Sequence, residues 1–546
     1  MRTYTEEKRI RPDILTAAVF WSVTIMMLYN IISVRIFGDT GSGFSAGPLT
    51  LYFLLYVSFV LAVQKAVYIM VRLRARRSQF LNAETNKDRS FKIFVFIGIL
   101  LSVLIMSCSY VIARNFFAAS KIYIDFILIG VSLLFLCPQG VIRGYLQGLG
   151  YTKPIMICDL TISVVSFSTG AIISGILYNY GIKVNKIFHG DEYSAIYGAS
   201  GMIIGVLIGS IVGFVQISIS MMVRKKEIAD IVKNGAPRYL DNKNDVLTGI
   251  RPILYLYATP VLMCLVDNIF YNLVLIKNDK AQDMIASYGA FAGRVESFMI
   301  MIAFLTCIPF IKSWNRVMAR IERDELEGAR DRLKRLLHFG SMLFVPVTIF
   351  MFTAAKEIQI AFFGKYSSLI DGMPQIGAFV MFALGLAIFL SWLLNHMGKS
   401  VLLVISLTIG WVVHIFFMIL LVMMLRKELL GVIISQLVAF VVYDIFCFSM
   451  LFKMLKYRQR LLRNFGFPIL AAAAAGLVLM LLNKLLVDHI GEVLSLIIGA
   501  VVYTVVYMLI LILIKGVKTE ELEKIPFGRL FMGFSHAVQH DRYYEE

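Results

Sequence analysis

Fourteen runs of mostly apolar residues, each more than 20 residues long, constrain the fold of this 546-residue chain more than any other feature. They lie near residues 14–36, 49–71, 92–113, 122–142, 154–178, 196–222, 250–276, 285–311, 335–355, 374–395, 400–425, 429–452, 465–487 and 492–514. An α-helix needs roughly 20 residues to cross the hydrocarbon core of a bilayer. Only 16% of the residues are charged, against about 25% in an average soluble protein. The sequence therefore predicts an all-α polytopic membrane protein with about 14 transmembrane helices.

The distribution of basic residues predicts the orientation. With the N-terminus in the cytoplasm, 39 of the 53 Lys and Arg residues fall on the cytoplasmic side. This asymmetry follows the positive-inside rule, and it places both termini in the cytoplasm. The net charge of +18 is then explained by membrane orientation and attraction to anionic membrane lipids, which argues against a nucleic-acid partner.

A weak internal repeat predicts the organisation of the spans. A shift of 248 positions superposes Gln147 and Gly150 on Asn395 and Gly398, in Gly-containing turns that each lie between two apolar runs. Six spans per copy give two parallel six-helix lobes followed by two extra C-terminal helices. The predicted segments are a cytoplasmic tail (1–13), an N-lobe (14–222), a basic linker (223–249), a C-lobe (250–452), spans thirteen and fourteen (453–514) and a cytoplasmic tail (515–546).

Motif searches argue against an enzyme. The sequence contains no nucleotide-binding loop, zinc-protease motif or hydrolase nucleophile motif. All six Cys residues lie in apolar runs without C-x-x-C spacing, so no metal site or cofactor is predicted. Asn395-His396 lies in the repeat turn and is interpreted as structural. Transport without ATP, driven by Na⁺, H⁺ or the membrane potential, is the class that remains.

Ionisable residues at membrane depth are the main candidates for a functional site, since each is costly to insert. Asp267 in span seven and Arg294 in span eight lie at matching depth, and Glu296 points away from Arg294. Asn268 and Asn272 share one face of span seven. One interpretation is a hydrated cavity between the lobes, where Arg294 binds an anionic head group and a carboxylate balances or gates it. The alternative is a structural ion pair that locks the two helices.

The first half carries further candidates. Arg35 ends span one near the outer surface, and Lys65 lies near the inner end of span two, where each could extend to the interface. Asp159 in span five is expected to pair with Lys65 or Arg143, or to be hydrated.

Two more acids lie close to the ends of predicted spans. Asp125 and Asp444 are both interpreted as carboxylates solvated at the membrane interface.

Several stretches together resemble the multidrug/oligosaccharidyl-lipid/polysaccharide exporter superfamily, in the branch of lipid II flippases and stage V sporulation protein B. They are the outer turn Arg35–Phe44, the helix end Ala62–Val67, the turn Arg143–Gly148, the helix end Pro309–Ile311 and the C-terminal motif Glu521–Gly528. The resemblance implies alternating access by two six-helix lobes around a cationic cavity, with Arg294, Arg35 and Lys65 as its basic groups. Spans thirteen and fourteen favour the lipid-carrier branch over twelve-span drug antiporters.

The sequence departs from the family after the Arg143–Gly148 turn. Asp159–Ser163 replaces a polar run that the family often carries, which leaves the particular lipid-linked substrate open. We therefore expect a monomeric flippase or exporter of anionic lipid-linked saccharide precursors in the bacterial plasma membrane. A proton- or sodium-coupled drug antiporter of the same fold is the alternative.

Overall fold

The computed structural model describes residues 12–237, 245–275, 281–456, 462–523 and 528–539, and the regular structure in these ranges is helical. Parts of five predicted segments lie outside these ranges. They are residues 1–11 of the N-terminal tail, 238–244 of the basic linker, 276–280 of the C-lobe, 457–461 of the segment with spans thirteen and fourteen, and 524–527 and 540–546 of the C-terminal motif and tail.

Thirteen helical segments in the described ranges are long and apolar enough to cross a membrane. Each overlaps one of the predicted runs, except the first, Ile14–Ala75, which overlaps two. The segment α1 (Pro12–Leu55) consists of two helices that meet at a kink, where Gly38 has a non-helical conformation (φ 75°, ψ −175°). A π-helical turn at Tyr56–Ala62 then joins α1 to α2 (Val63–Ala75). The structure thus confirms the fold class, and the break at Gly38 lies within the predicted outer turn Arg35–Phe44.

The helices fall into two compact units, residues 1–308 with 398–443 and residues 309–397 with 444–546. The first unit also contains α3 (Phe80–Ser107), α4 (Ser109–Phe117), α5 (Tyr123–Gly148), α6 (Lys153–Phe188), α7 (Tyr193–Val223), α8 (Lys225–Lys233), α9 (Asp245–Leu275), α10 (Ala281–Ala290), α11 (Ser297–Cys307) and α16 (Ser400–Met418). The second contains α12 (Ile311–Glu322), α13 (Leu326–Thr353), α14 (Ala355–Phe363), α15 (Met373–His396), α18 (Phe467–Ile490), α19 (Glu492–Leu513), α20 (Thr519–Leu522) and α21 (Met532–Gln539). Helix α17 (Glu428–Leu455) crosses the boundary between the units: its residues up to 443 belong to the first unit, and those from 444 belong to the second. The boundaries of these units differ from those of the two predicted lobes, 14–222 and 250–452. The division into two six-helix lobes therefore stays a prediction.

Small residues allow α6 and α7 to pack closely within the first unit. A Cβ added to Gly205 would lie 2.4 Å from the Cα of Gly170, and one added to Gly201 would lie 2.5 Å from the Cα of Ser174. Small residues four positions apart let helix backbones approach in this way in membrane proteins.

The two turns predicted to be copies share a backbone feature. Gly150 follows the end of α5 with φ 101°, and Gly398 follows the end of α15 with φ 71°. This left-handed conformation favours glycine, which explains why both turns carry it. Gly364 and Gly491 have the same feature after other helices, so the equivalence of the two turns stays a prediction.

In the second unit, the carboxylate of Glu521 anchors the segment after the last candidate span. It accepts hydrogen bonds from the backbone N–H of Lys518 (2.9 Å) and from the guanidinium of Arg463 (3.2 Å), and it lies 3.5 Å from His338 Nε2. Burial alone would raise the pKa of Glu521. The hydrogen bonds from His338 and Lys518 and the nearby charges of His338 and Arg463 outweigh burial and lower the pKa to about 2.

Replacing Glu521 with Gln should lower the free energy of unfolding by about 2 kcal/mol at pH 7. The folded-state pKa lies below the ordinary value of 4.5, so this stabilisation is present above that pH and is lost as the pH falls towards 2. Thermal unfolding in detergent at pH 7 and pH 3 should show a smaller difference between wild type and variant at pH 3. The exposed neighbour Glu520 provides the control: Glu520→Gln should change neither value, and equal effects of the two substitutions would contradict this assignment.

Candidate functional site

Arg294 is fully buried in the first unit and bound to Asp39. Its Nε donates to one carboxylate oxygen of Asp39 at 2.5 Å, and a terminal guanidinium nitrogen donates to the other at 3.2 Å. Such two-point contacts between Arg and carboxylate are strong and directional. Arg294 lies in a π-helical turn, Phe291–Glu296, and Asp39 directly follows the non-helical Gly38 in α1. Irregular backbone on both helices therefore accompanies the pair, and π-helical turns are frequent at functional sites.

Glycines bring the backbones of α1 and α10 into direct contact beside this ion pair. A Cβ added to Gly289 would lie 1.9 Å from the backbone oxygen of Asp39, and one added to Gly43 would lie 2.0 Å from that of Ile285. Any larger residue at these positions would separate the two helices. The glycine contacts and the ion pair together hold α1 against α10.

A second buried polar network surrounds Asp267. His414 Nε2 lies 2.7 Å from one carboxylate oxygen of Asp267, and the Gln436 amide donates to the other at 2.8 Å. The same amide nitrogen lies 3.4 Å from a carboxylate oxygen of Glu296. Asp267 and His414 have no exposed surface, and Gln436 and Glu296 are also buried. Four helical segments of the first unit thus bring two carboxylates, one imidazole and one amide together.

These contacts change the interpretation of Asp267 and Arg294. The ion pair of Asp267 is with His414 rather than with Arg294, and the carboxylate that balances Arg294 is Asp39. Glu296 belongs to the Asp267 network, in agreement with its predicted direction away from Arg294. The alternative prediction, an ion pair between Asp267 and Arg294, is therefore wrong. Arg294 pairs with Asp39, and Asp267 pairs with His414.

Asn268 and Asn272 line a small cavity. The amide of Asn272 donates to the side-chain oxygen of Asn268 at 2.7 Å, and Asn268 Nδ2 has no hydrogen-bond partner among the described residues. Gly43, Gly47 and Tyr288 also line the cavity, whose volume of about 10 Å³ is close to the space that one water molecule requires. In this conformation the cavity is too small for a saccharide or a drug.

The turn residues of the first half belong to a third network. Arg143 and Asp159 form a buried ion pair, so of the partners considered for Asp159 the structure selects Arg143. The Tyr56 hydroxyl lies within 3.4 Å of both side chains. Gln147 accepts a hydrogen bond of 2.8 Å from Gln64. These contacts join α2, α5 and α6 near the turn that contains Gly150.

The other two predicted cations are less enclosed. Arg35 is exposed, and Lys65 is half-buried with its ammonium nitrogen 5.5 Å from the ring centre of Tyr68. That Arg35, Lys65 and Arg294 converge on one cavity stays a prediction.

The prediction that Asp125 and Asp444 are solvated at the membrane interface is wrong. Asp125 has no exposed surface and Asp444 is 8% exposed, because the surrounding protein covers both carboxylates.

Sequence reasoning missed three residues of these networks: Asp39, His414 and Gln436. Asp39 was noted only as part of an outer turn. His414 and Gln436 lie within predicted spans, where the insertion cost that singled out Asp267 applies to them as well. A search for every polar residue at membrane depth, rather than for charged residues alone, would have found both.

Together, the candidate spans describe a multi-pass helical membrane protein. Its fold is similar to that of solved members of the multidrug/oligosaccharidyl-lipid/polysaccharide (MOP) superfamily, the family that the sequence motifs resemble.

Solved structures of that superfamily provide the comparison. The lipid II flippase MurJ, in an inward closed conformation, matches 91% of this chain and 98% of its own with a TM-score of 0.62 and 16% identity. An inward-facing multidrug resistance MATE family transporter matches 81% of this chain and 99% of its own, with a TM-score of 0.56 and 16% identity. A MOP superfamily transporter from Pyrococcus furiosus, described as having a binding pocket of reverse polarity, matches 83% of this chain and 100% of its own. The TM-score is 0.54 and the identity is 16%. No protein-family model and no curated protein matches the sequence.

Proposed function

We propose that the chain is a flippase or exporter that moves an anionic, lipid-linked saccharide precursor across the bacterial plasma membrane by alternating access. The observation that carries this proposal is the extent of the fold match. The lipid II flippase matches 91% of the chain, whereas the MATE transporter matches 81%, so the flippase accounts for more of the fourteen-span architecture. The proposed protein acts as a monomer, has both termini in the cytoplasm and catalyses no reaction.

The Arg294–Asp39 pair suggests how such a substrate would be bound. A buried guanidinium needs an anionic partner, and Asp39 supplies one in this conformation. A phosphate or pyrophosphate group has the same two-point geometry as a carboxylate and could replace Asp39. The exchange keeps Arg294 neutralised throughout, while the released Asp39 carboxylate, whose side chain is 13% exposed, would need hydration or another donor. Breaking the pair would also release one of the contacts that hold α1 against α10.

A second candidate function is a drug antiporter coupled to protons or sodium ions. The observation that favours it is the Asp267–His414–Gln436–Glu296 network, since buried carboxylates beside an imidazole can take up and release protons. In a flippase the same network would serve as the coupling site. The transported molecule therefore distinguishes the two functions.

Flipping of fluorescent undecaprenyl-pyrophosphate saccharides in proteoliposomes tests the proposal. Wild-type protein should flip the lipid, and Arg294→Gln should reduce the rate at least tenfold because the phosphate loses its cationic partner. The single substitution also leaves Asp39 without Arg294, so the double variant Arg294→Gln/Asp39→Asn serves as the control for folding. The double variant should regain wild-type thermal stability without regaining transport.

Two results would contradict the flippase. One is full flipping activity in the well-folded double variant. The other is a wild-type protein that leaves the lipid in place and instead expels cationic dyes, which would establish the antiporter.

A further inference from the structure

Four arginines form a cluster on two adjoining helices of the second unit. Arg316 and Arg320 are one turn apart on α12, and Arg332 and Arg335 are one turn apart on α13. A Cβ added to Gly328 of α13 would lie 2.3 Å from a guanidinium nitrogen of Arg320, and Arg332 follows Gly328 by one turn of the same helix. The two pairs therefore face a common region.

The cluster is only partly neutralised by the protein. Glu325 pairs with Arg320, but its side chain is 50% exposed and its carboxylate lies 3.8 Å from Arg320 Nε. Arg332 Nε is buried and has no hydrogen-bond partner among the described residues. Like charges one helical turn apart are destabilising, so four arginines together carry a cost that a bound anion would offset.

Packing holds the arginines in place despite this repulsion. Gly328, in the first turn of α13, leaves room for Arg320, because a Cβ at that position would lie 2.3 Å from a guanidinium nitrogen. On the opposite side of α12, Trp314, Val317 and Met318 are buried in the unit. The apolar side fixes the rotation of α12, so the basic side faces away from the core.

The position of the cluster indicates the kind of anion. Helix α12 ends the candidate span Met284–Glu322, and α13 begins the candidate span Leu326–Thr353. The arginines thus lie where two spans end, at the depth of lipid head groups. Anionic lipid surfaces attract basic side chains in this region, and the planar guanidinium matches the geometry of phosphate.

We propose that Arg316, Arg320, Arg332 and Arg335 form a binding site for the phosphate of an anionic phospholipid head group. The site is separate from the networks around Arg294 and Asp267 and does not depend on what the protein transports. A bound lipid at this position would stabilise the connection between α12 and α13.

Binding of phosphatidylglycerol to the full-length protein, measured by native mass spectrometry in detergent, tests the site. Phosphatidylcholine is the reference lipid. Arg316→Gln and Arg332→Gln should each weaken phosphatidylglycerol binding about fivefold, the effect expected for one basic group at a membrane surface. Lys334→Gln provides the matched control, because it removes one charge from the same helix but lies beside Asp331, with which it forms a 3.2 Å ion pair. This control should change binding less than twofold.

Three outcomes would overturn the proposal. Equal losses for Arg332→Gln and Lys334→Gln would show diffuse attraction rather than a site. Equal binding of phosphatidylcholine would remove the role of the anionic head group. Competition by millimolar inorganic phosphate would identify a soluble phosphate ligand in place of a lipid.

A separate variant excludes misfolding as the cause of weakened binding. Arg320→Lys keeps the charge but loses the planar guanidinium, and it should weaken binding at least twofold while leaving the unfolding temperature of the lipid-free protein unchanged. Unchanged binding by this variant would contradict phosphate recognition by the cluster.

Discussion

Replacing Asp159 with Asn should lower the free energy of unfolding by about 3–5 kcal/mol, the range expected when one partner of a buried ion pair is removed. Arg143 is completely buried and Asp159 nearly so, and the two side chains contact each other directly. The substitution would leave the guanidinium charge enclosed without its carboxylate. The Tyr56 hydroxyl remains nearby, but it is neutral and cannot replace the lost charge. Denaturant unfolding in detergent, followed by tryptophan fluorescence, measures the loss.

Two controls separate burial from charge. Asp331→Asn breaks an exposed pair with Lys334, and its effect should remain below about 1 kcal/mol. The double variant Arg143→Met/Asp159→Leu removes both charges and should recover most of the stability, because apolar side chains can replace a buried pair at little cost. A loss below 1 kcal/mol for Asp159→Asn would show that the pair is hydrated in the membrane.

The fold was predictable because hydropathy is a local property of the chain. Each apolar run becomes a span for reasons contained within about 20 residues, and the positive φ values of Gly150 and Gly398 follow from their turns alone. The first outer turn was predictable in the same way, since Gly38 breaks α1 there. The close packing of Gly43 against α10 was not predictable, because it depends on a helix far along the chain.

The partners within the candidate site were not predictable for the same reason. Asp39 and Arg294 are 255 positions apart, and Asp267 is 147 positions from His414. Helical periodicity correctly directed Glu296 away from Arg294. Depth along a span limits which residues can meet. It carries no information on which helices are neighbours, so the pairing of Asp267 with Arg294 was as consistent with depth as the observed pairs. By contrast, Asp159 lies 16 positions from Arg143 in the next span, and their pairing was among the alternatives that the sequence offered.

The contact between Asp267 and His414 has a direct consequence for energy coupling. The imidazole and the carboxylate are 2.7 Å apart in a fully buried site, and Gln436 links them to a second carboxylate, Glu296. We propose that a conformational change that separates α9 from α16 alters the affinity of this pair for a proton. Such a network would connect a proton gradient with alternating access, whichever substrate is carried.

We expect Asp267→Asn to abolish the dependence of transport on a pH gradient. In proteoliposomes, an imposed gradient should accelerate wild-type transport, whereas the variant should transport at one rate, at least tenfold lower, with or without the gradient. His414→Gln should behave in the same way, because it removes the other half of the proton-sharing pair. His489→Gln provides the matched control: His489 is exposed and bonded to its own helix at Leu485, so its loss should leave gradient dependence intact. Gradient-driven transport that survives Asp267→Asn at the wild-type rate would exclude this network from coupling, while acceleration by a sodium gradient alone would replace the proton with Na⁺ as the driving ion.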